Sequence, residues 1–198
     1  AYLAMQRLMG MLNQPPSITL ADAVSTGVNK PFVVTTTDPD GDAVAVSATG
    51  LPSTANLSCV ALICELNFKS PGVFVINLAA SDGRATTTKA VTVMAKAVVP
   101  EIFLVGNPLA KITVPRNQPV RFQVNAVGKN GTAVTLKADR MPTKATTRPL
   151  LVIPGGEPRS VLEFQWTPSV PGAFTAEFSA SDGYATSKLK VQIEVRLR

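Results

Sequence analysis

The sequence predicts an all-β chain of two tandem β-sandwich domains, and three observations predict it. A long stretch repeats once, apolar residues alternate with polar ones inside each copy, and turn signals recur about 8 to 12 residues apart. With 198 residues, 45% of them apolar and 16% charged, the chain can bury one large core or two small ones. It has no histidine and two cysteines, which excludes Ser-His and Cys-His nucleophile pairs, histidine zinc sites and four-thiolate sites. No Gly-x-Ser-x-Gly, P-loop or Gly-x-Gly-x-x-Gly is present either, so the chain is expected to be non-enzymatic and to use no organic cofactor.

The repeat is explicit. Ser70-Pro71-Gly72-Val73-Phe74 and Ala80-Ser81-Asp82-Gly83 return as Val170-Pro171-Gly172-Ala173-Phe174 and Ala180-Ser181-Asp182-Gly183, an offset of 100. Upstream, Ala43-Val44-Ala45-Val46 and Leu51-Pro52 answer Ala133-Val134-Thr135-Leu136 and Met141-Pro142 at an offset of 90. The second copy therefore carries about ten extra residues between Thr147 and Trp166, a stretch whose Pro149, Pro154, Gly155, Gly156 and Pro158 mark a loop. A period this long suits a duplicated small domain, with boundaries at 15–97 and 100–198 and a separate segment 1–14.

Taken in chain order, the first element stands outside the repeat. Ala1, Met5, Leu8, Met9 and Leu12 share a helical face, Gln6, Arg7, Gly10, Asn13 and Gln14 lie on another, and Pro15-Pro16 would stop a helix. So short a helix is marginal alone and needs something to pack on. Met5, Leu8, Met9 and Leu12 read as an assembly arm, the visible end of an anchor or a donated strand; a remnant of an upstream segment fits equally. At under the roughly 20 apolar residues of a membrane helix, it gives no span. A start at Ala1 without a basic leader region reads as a processed chain or a fragment. In the first copy Val44, Val46 and Ala48, then Phe74, Ile76, Leu78 and Ala80, then Val91 and Val93 alternate as strands do. The junction Lys96-Ala97-Val98-Val99-Pro100 is short and partly apolar. In the second copy Val120, Phe122 and Val124, then Val134, Leu136 and Ala138, then Leu162, Phe164 and Trp166, then Phe174, Ala176, Phe178 and Ala180 do the same. Its last strand sets Leu189, Val191, Ile193, Val195 and Leu197 against Lys188, Lys190, Gln192, Glu194, Arg196 and Arg198, a face turned to water. About seven strands per copy result. Asp38-Pro39-Asp40-Gly41, Asp82-Gly83, Lys129-Asn130-Gly131 and Asp182-Gly183 supply the turns.

The order of the acidic turn, an alternating strand, Gly50-Leu51-Pro52, a Pro-Gly turn, an aromatic strand, Ala-Ser-Asp-Gly and a valine-rich strand resembles the bacterial immunoglobulin-like and cadherin-like repeats of secreted and surface proteins. The resemblance covers nearly all of residues 15–198 and implies the immunoglobulin-like sandwich and an extracellular or cell-surface location. It implies no one activity, because this sandwich serves adhesion, spacing, filament and sugar-binding roles alike.

Asp38, Asp40 and Asp42 offer the hard oxygen ligands that Ca²⁺ takes, with Pro39 and Gly41 bending the backbone between them; a solvated turn accounts for the same residues. The second copy has Gly128-Lys129-Asn130-Gly131-Thr132 there, so calcium would belong to the first copy. Cys59 and Cys64 are spaced for a hairpin disulfide if they face each other across two strands, and an even count in a surface-type domain favours that over two buried thiols.

Charge is uneven. Residues 15–99 hold five Lys/Arg and six Asp/Glu, a net of −1; residues 100–198 hold thirteen and seven, a net of +6. Lys188, Lys190, Arg196 and Arg198 on the last strand, with Arg140, Lys144 and Arg148 after a neighbouring turn, form a candidate contact for an acidic glycan or an acidic partner, against the plainer reading of a solvated face. Nucleic acid fits poorly, since no stacking aromatics are interleaved with the cations. The function expected from these features is a structural repeat unit of a surface adhesin, appendage or filament that binds itself or other cell-surface proteins. A glycan-binding module and a virion decoration or tail attachment domain are the alternatives.

Overall fold

A computed structural model describes Met5 and residues 12–107, 109–152 and 155–197 of the chain. Leu8, Met9 and Arg198, and with them the body of the expected helical arm, lie outside the described residues; Met5 and Leu12 are described and exposed. The chain divides into two compact units, Ala1–Ala97 and Val98–Arg198.

In the first unit the strands are β1 (Ser17–Thr19), β2 (Ala23–Gly27), β3 (Phe32–Thr37), β4 (Ala45–Thr49), β5 (Ala55–Val60), β6 (Ile63–Phe68), β7 (Gly72–Ser81) and β8 (Thr86–Lys96). They form two sheets, ordered β1-β3-β6-β5 and β2-β8-β7-β4, in which β2 runs parallel to β8 and the other pairs are antiparallel. The second unit repeats the plan with β9 (Glu101–Leu104), β10 (Lys111–Pro115), β11 (Val120–Val127), β12 (Thr135–Arg140), β13 (Thr146–Pro149), β14 (Arg159–Trp166), β15 (Gly172–Ser181) and β16 (Thr186–Arg196). Its sheets are ordered β9-β11-β14-β13 and β10-β16-β15-β12. Strands one, three, six and five on one sheet and four, seven and eight on the other reproduce the ABED and CFG sheets of the immunoglobulin fold, with strand two added in parallel to the last. Each unit is an immunoglobulin-like β-sandwich.

Each unit has eight strands rather than seven because its first strand changes sheets. Ser17–Thr19 pairs with β3, and after Leu20-Ala21-Asp22 the chain continues as β2 beside β8. In the second unit the same switch lies between β9 and β10. The alternation in sequence shows that a strand is half wet, but not which neighbour it joins.

Each sandwich closes on its own core. Val34, Leu66, Phe68, Ile76, Leu78, Val91 and Val93 fill the first, and Val124, Phe164, Trp166, Phe178, Val191 and Ile193 lead the second. Burying a side chain of this size is worth about 1.5 to 3 kcal/mol. The aromatics pack in offset stacks and edge-on pairs, with Phe68 and Phe74 centroids 5.1 Å apart and Phe122 and Phe164 4.4 Å apart. Trp166 buries its ring and donates its indole N–H to the Thr143 carbonyl at 3.1 Å.

Candidate functional site

The acidic turn is engaged by the chain itself. Oδ1 of Asp38 accepts the amides of Asp40 at 2.8 Å and Asp42 at 3.1 Å, an Asx turn that Pro39 and Gly41 prepare. Asp40 turns its carboxylate to Gln14, accepting the backbone amide at 2.6 Å and the side-chain amide at 3.2 Å. Oδ2 of Asp38 is shielded and unpartnered, but one such oxygen is far from the six to eight that Ca²⁺ takes. Among the described residues no three carboxylates, thiols or imidazoles come together around a point that could hold a metal ion.

Asn13 and Gln14 therefore do not line a helix's polar face, as their spacing suggests. Residues 13–16 run without regular structure along the end of the first sandwich, held by Asp40 and by Asp82, whose Oδ2 accepts the Asn13 side-chain amide at 2.9 Å. The Ala-Ser-Asp-Gly motif is a turn device in both units. Asp82 Oδ1 accepts the amides of Arg84 and Ala85, and Asp182 Oδ1 accepts those of Tyr184 and Ala185. Gly83 and Gly183 sit at φ of 88° and 90°, a conformation that penalises any side chain.

Hydrogen bonds from the Ala85 amide, then Asn13, then the Arg84 amide hold the Asp82 carboxyl below its ordinary value. A carboxylate that titrates lower when folded contributes stability above its unfolded value of about 3.9, and that contribution is lost as pH falls through the folded value. Asn13→Ala is thus expected to move the Asp82 titration upward, read by carbon-detected NMR of the carboxyl. An unmoved titration would show that Asn13 does not hold it.

Gly128 stands at the repeat position of Asp38 and solves the turn differently. A Cβ there would lie 1.8 Å from the Thr132 carbonyl oxygen, so the missing side chain lets the backbone fold back on itself. Thr132 closes the turn by donating its amide and hydroxyl to the Lys129 carbonyl.

Cys59 and Cys64 are opposite one another in the β5–β6 hairpin and are joined as a disulfide. Cys64 is fully buried in the first core, whereas Cys59 is exposed on the edge strand. The turn they close is Ala61-Leu62, with Ala61 at a φ of 51°, where an L-residue rests at a cost of about 1 to 2 kcal/mol. Thr36 of β3 donates its amide and its hydroxyl to the Leu62 carbonyl, so this tip is anchored to the sheet. In the second unit Pro149 and Leu162 occupy the register of the two cysteines, at offsets of 90 and 98, so eight of the ten extra residues fall between these positions and the other two between β14 and β15, where the first unit has a shorter connection.

The basic residues fall on two different sheets. Lys188, Lys190 and Arg196 alternate along the outward face of β16, and Arg140 ends β12 in the same sheet. Arg148 lies on β13 in the opposite sheet, and Lys144 in the turn between β12 and β13 at a φ of 67°. Several are matched by acids: Arg148 with Glu163 at 2.7 Å, Arg196 with Glu194 at 3.0 Å and Lys190 with Glu177 at 3.9 Å. The Arg148 bond, followed by one from Gln165, lowers the Glu163 titration; the Arg196 bond lowers that of Glu194. A groove on the β16 face is lined by Asp139 and Glu177 as well as Lys188 and Lys190. Among the described residues Arg140, Lys144 and Lys188 form no ion pair. The face is a mixed one with a cationic surplus.

No described helix is long and apolar enough to cross a membrane. No family model and no curated protein sequence matches the chain. Among solved structures it is similar to an endo-fucoidan hydrolase of glycoside hydrolase family 107, 14% identical over 93% of this chain and 29% of that one, with a TM-score of 0.45. It is also similar to tandem immunoglobulin domains of titin, 12% identical over 92% of this chain and 97% of that one at 0.36. A pair of intimin domains matches at 15% over 86% and 94%, at 0.29. The chain spans less than a third of the hydrolase, whose activity stays with that enzyme. The strand order and the two cores define the class: a tandem immunoglobulin-like pair.

Proposed function

We propose that this chain is a non-enzymatic structural module of an extracellular or cell-surface protein, a tandem immunoglobulin-like repeat of an adhesin, appendage or filament that associates with copies of itself or with other surface proteins. One observation carries the reading: the motifs that recur between the copies are spent on architecture. Asp82 and Asp182 hold the same turn in both units, and the alternating apolar residues fill the two cores. The disulfide supports an oxidising compartment. The cadherin-like bacterial repeats resembled by the sequence are of this kind.

Light scattering of the intact chain over a range of concentrations tests the proposal. Mass rising above that of the 20.8 kDa monomer is the expected result. A strictly monomeric chain up to about 1 mM, where contacts worth about 4 kcal/mol become half populated, would contradict self-association. A second reading, an acidic-glycan module, is favoured by the unpaired Arg140, Lys144 and Lys188; a glycan array without signal would remove it.

A further inference from the structure

The two sandwiches differ in charge on one outer face. Along β8, Thr88, Ala90, Thr92 and Met94 stand where Lys188, Lys190, Gln192 and Glu194 stand along β16. Beside them on β7, Val73 and Val75 are 65% and 62% exposed, lying opposite Met94 and Thr92. Lys96 at the far end of β8 is the only ionisable residue in an outward position on the four strands of this sheet. Lys89 belongs to the opposite alternation and reaches Asp22 at the sheet edge, 2.9 Å away.

An outward sheet face normally carries charges that keep it in water and away from other sheets. This one has neutral side chains across its width, Val73, Val75 and Met94 among them, so covering it removes apolar surface and meets a charge only at Lys96, on its end. Its chemistry selects the partner. Without cations it does not attract a polyanion, and without an exposed aromatic it offers a sugar ring nothing to stack on. The charged β16 face laid over it would bury Lys188 without a partner. A second copy of the same face brings no charge except Lys96, at the end of β8.

We propose that the outer face of the β2-β8-β7-β4 sheet is a homophilic docking surface, on which two copies of the chain pack sheet against sheet about a two-fold axis. This rests on the self-associating module proposed above and adds the surface it uses. Four strands about 4.8 Å apart and about 20 Å long present a face that, paired, buries about 800 Å². That area lies at the low end for specific contacts, so the pair is weak in solution and effective where copies are tethered close together on a surface or fibre.

Sedimentation velocity of the intact chain, at concentrations up to about 1 mM and in about 0.05 and about 0.5 M NaCl, tests the inference against two variants. Thr92→Arg places a charge at the centre of the face; Gln192→Arg places one at the same position of the second unit. Both sites are exposed, and thermal melting checks that each variant is folded. The expected result is a dimer that survives high salt, persists in Gln192→Arg and falls at least tenfold in affinity in Thr92→Arg. Association that vanishes at high salt and ignores Thr92→Arg would overturn this surface while leaving a self-associating module standing. A monomer under every condition would overturn both.

Discussion

Replacing Phe164 with alanine is expected to destabilise the second sandwich by about 3 to 5 kcal/mol and to leave the first unchanged. Phe164 is fully buried, stacked on Phe122 at 4.4 Å and edge-on to Phe178 at 6.5 Å, so its removal leaves a cavity bounded by rigid rings. Its loss equals a large part of the roughly 5 to 15 kcal/mol that holds a typical domain folded. A domain of this size should melt on the order of 15 °C lower. The protein carries its own reporter, because Trp166 is its one tryptophan and lies in the same core. Trp166 fluorescence should follow the early transition while circular dichroism retains a later one from the first sandwich, whose core draws on residues 18–95. Two transitions falling together by the same amount would contradict separate cores.

The second large effect concerns the hairpin disulfide, and it is asymmetric. Cys59→Ser and Cys64→Ser both remove the bridge, which closes so small a loop that its entropic worth is about 2 kcal/mol. They differ in what replaces the sulfur. A hydroxyl at the exposed position 59 meets water, whereas one at position 64 enters a fully buried site opposite Val34, at a further cost of about 1 to 3 kcal/mol. Denaturant unfolding should therefore rank wild type above Cys59→Ser and Cys59→Ser above Cys64→Ser. Equal losses, or a larger one at position 59, would show that Cys64 is not a core residue.

How much of this was legible depends on how far apart the interacting residues lie. The offsets of 100 and 90 locate both sandwiches, but they place all the extra residues of the second copy before Trp166, whereas two of the ten lie between β14 and β15, a connection of five residues where β6 to β7 has three. Alternation identifies Val191, Ile193 and Val195 as core, and the pairing of Cys59 with Cys64 follows because both lie in one hairpin. The same rules miss Asn13, whose partner Asp82 is 69 residues away, and they assign it to a helix face instead. They also split the acidic turn from Gln14, so carboxylates that hold the chain's own backbone resemble ligands waiting for an ion. A count of charges per domain finds the basic second unit, but not that Arg148 lies on the other sheet from Lys188. It is also blind to the neutral face, which emerges only when β8 and β16 are compared position by position in the sheet.

Expressing residues 13–97 and 98–198 as separate chains and recording amide NMR spectra and thermal melts of each is the most direct measurement. Each half is expected to give a dispersed β-sheet spectrum and a single cooperative melt, because each holds its complete set of eight strands and its own buried aromatics. A half that stays unfolded alone, and folds only when the other is added, would mean that the interior is shared and that the tandem sandwich is the wrong description.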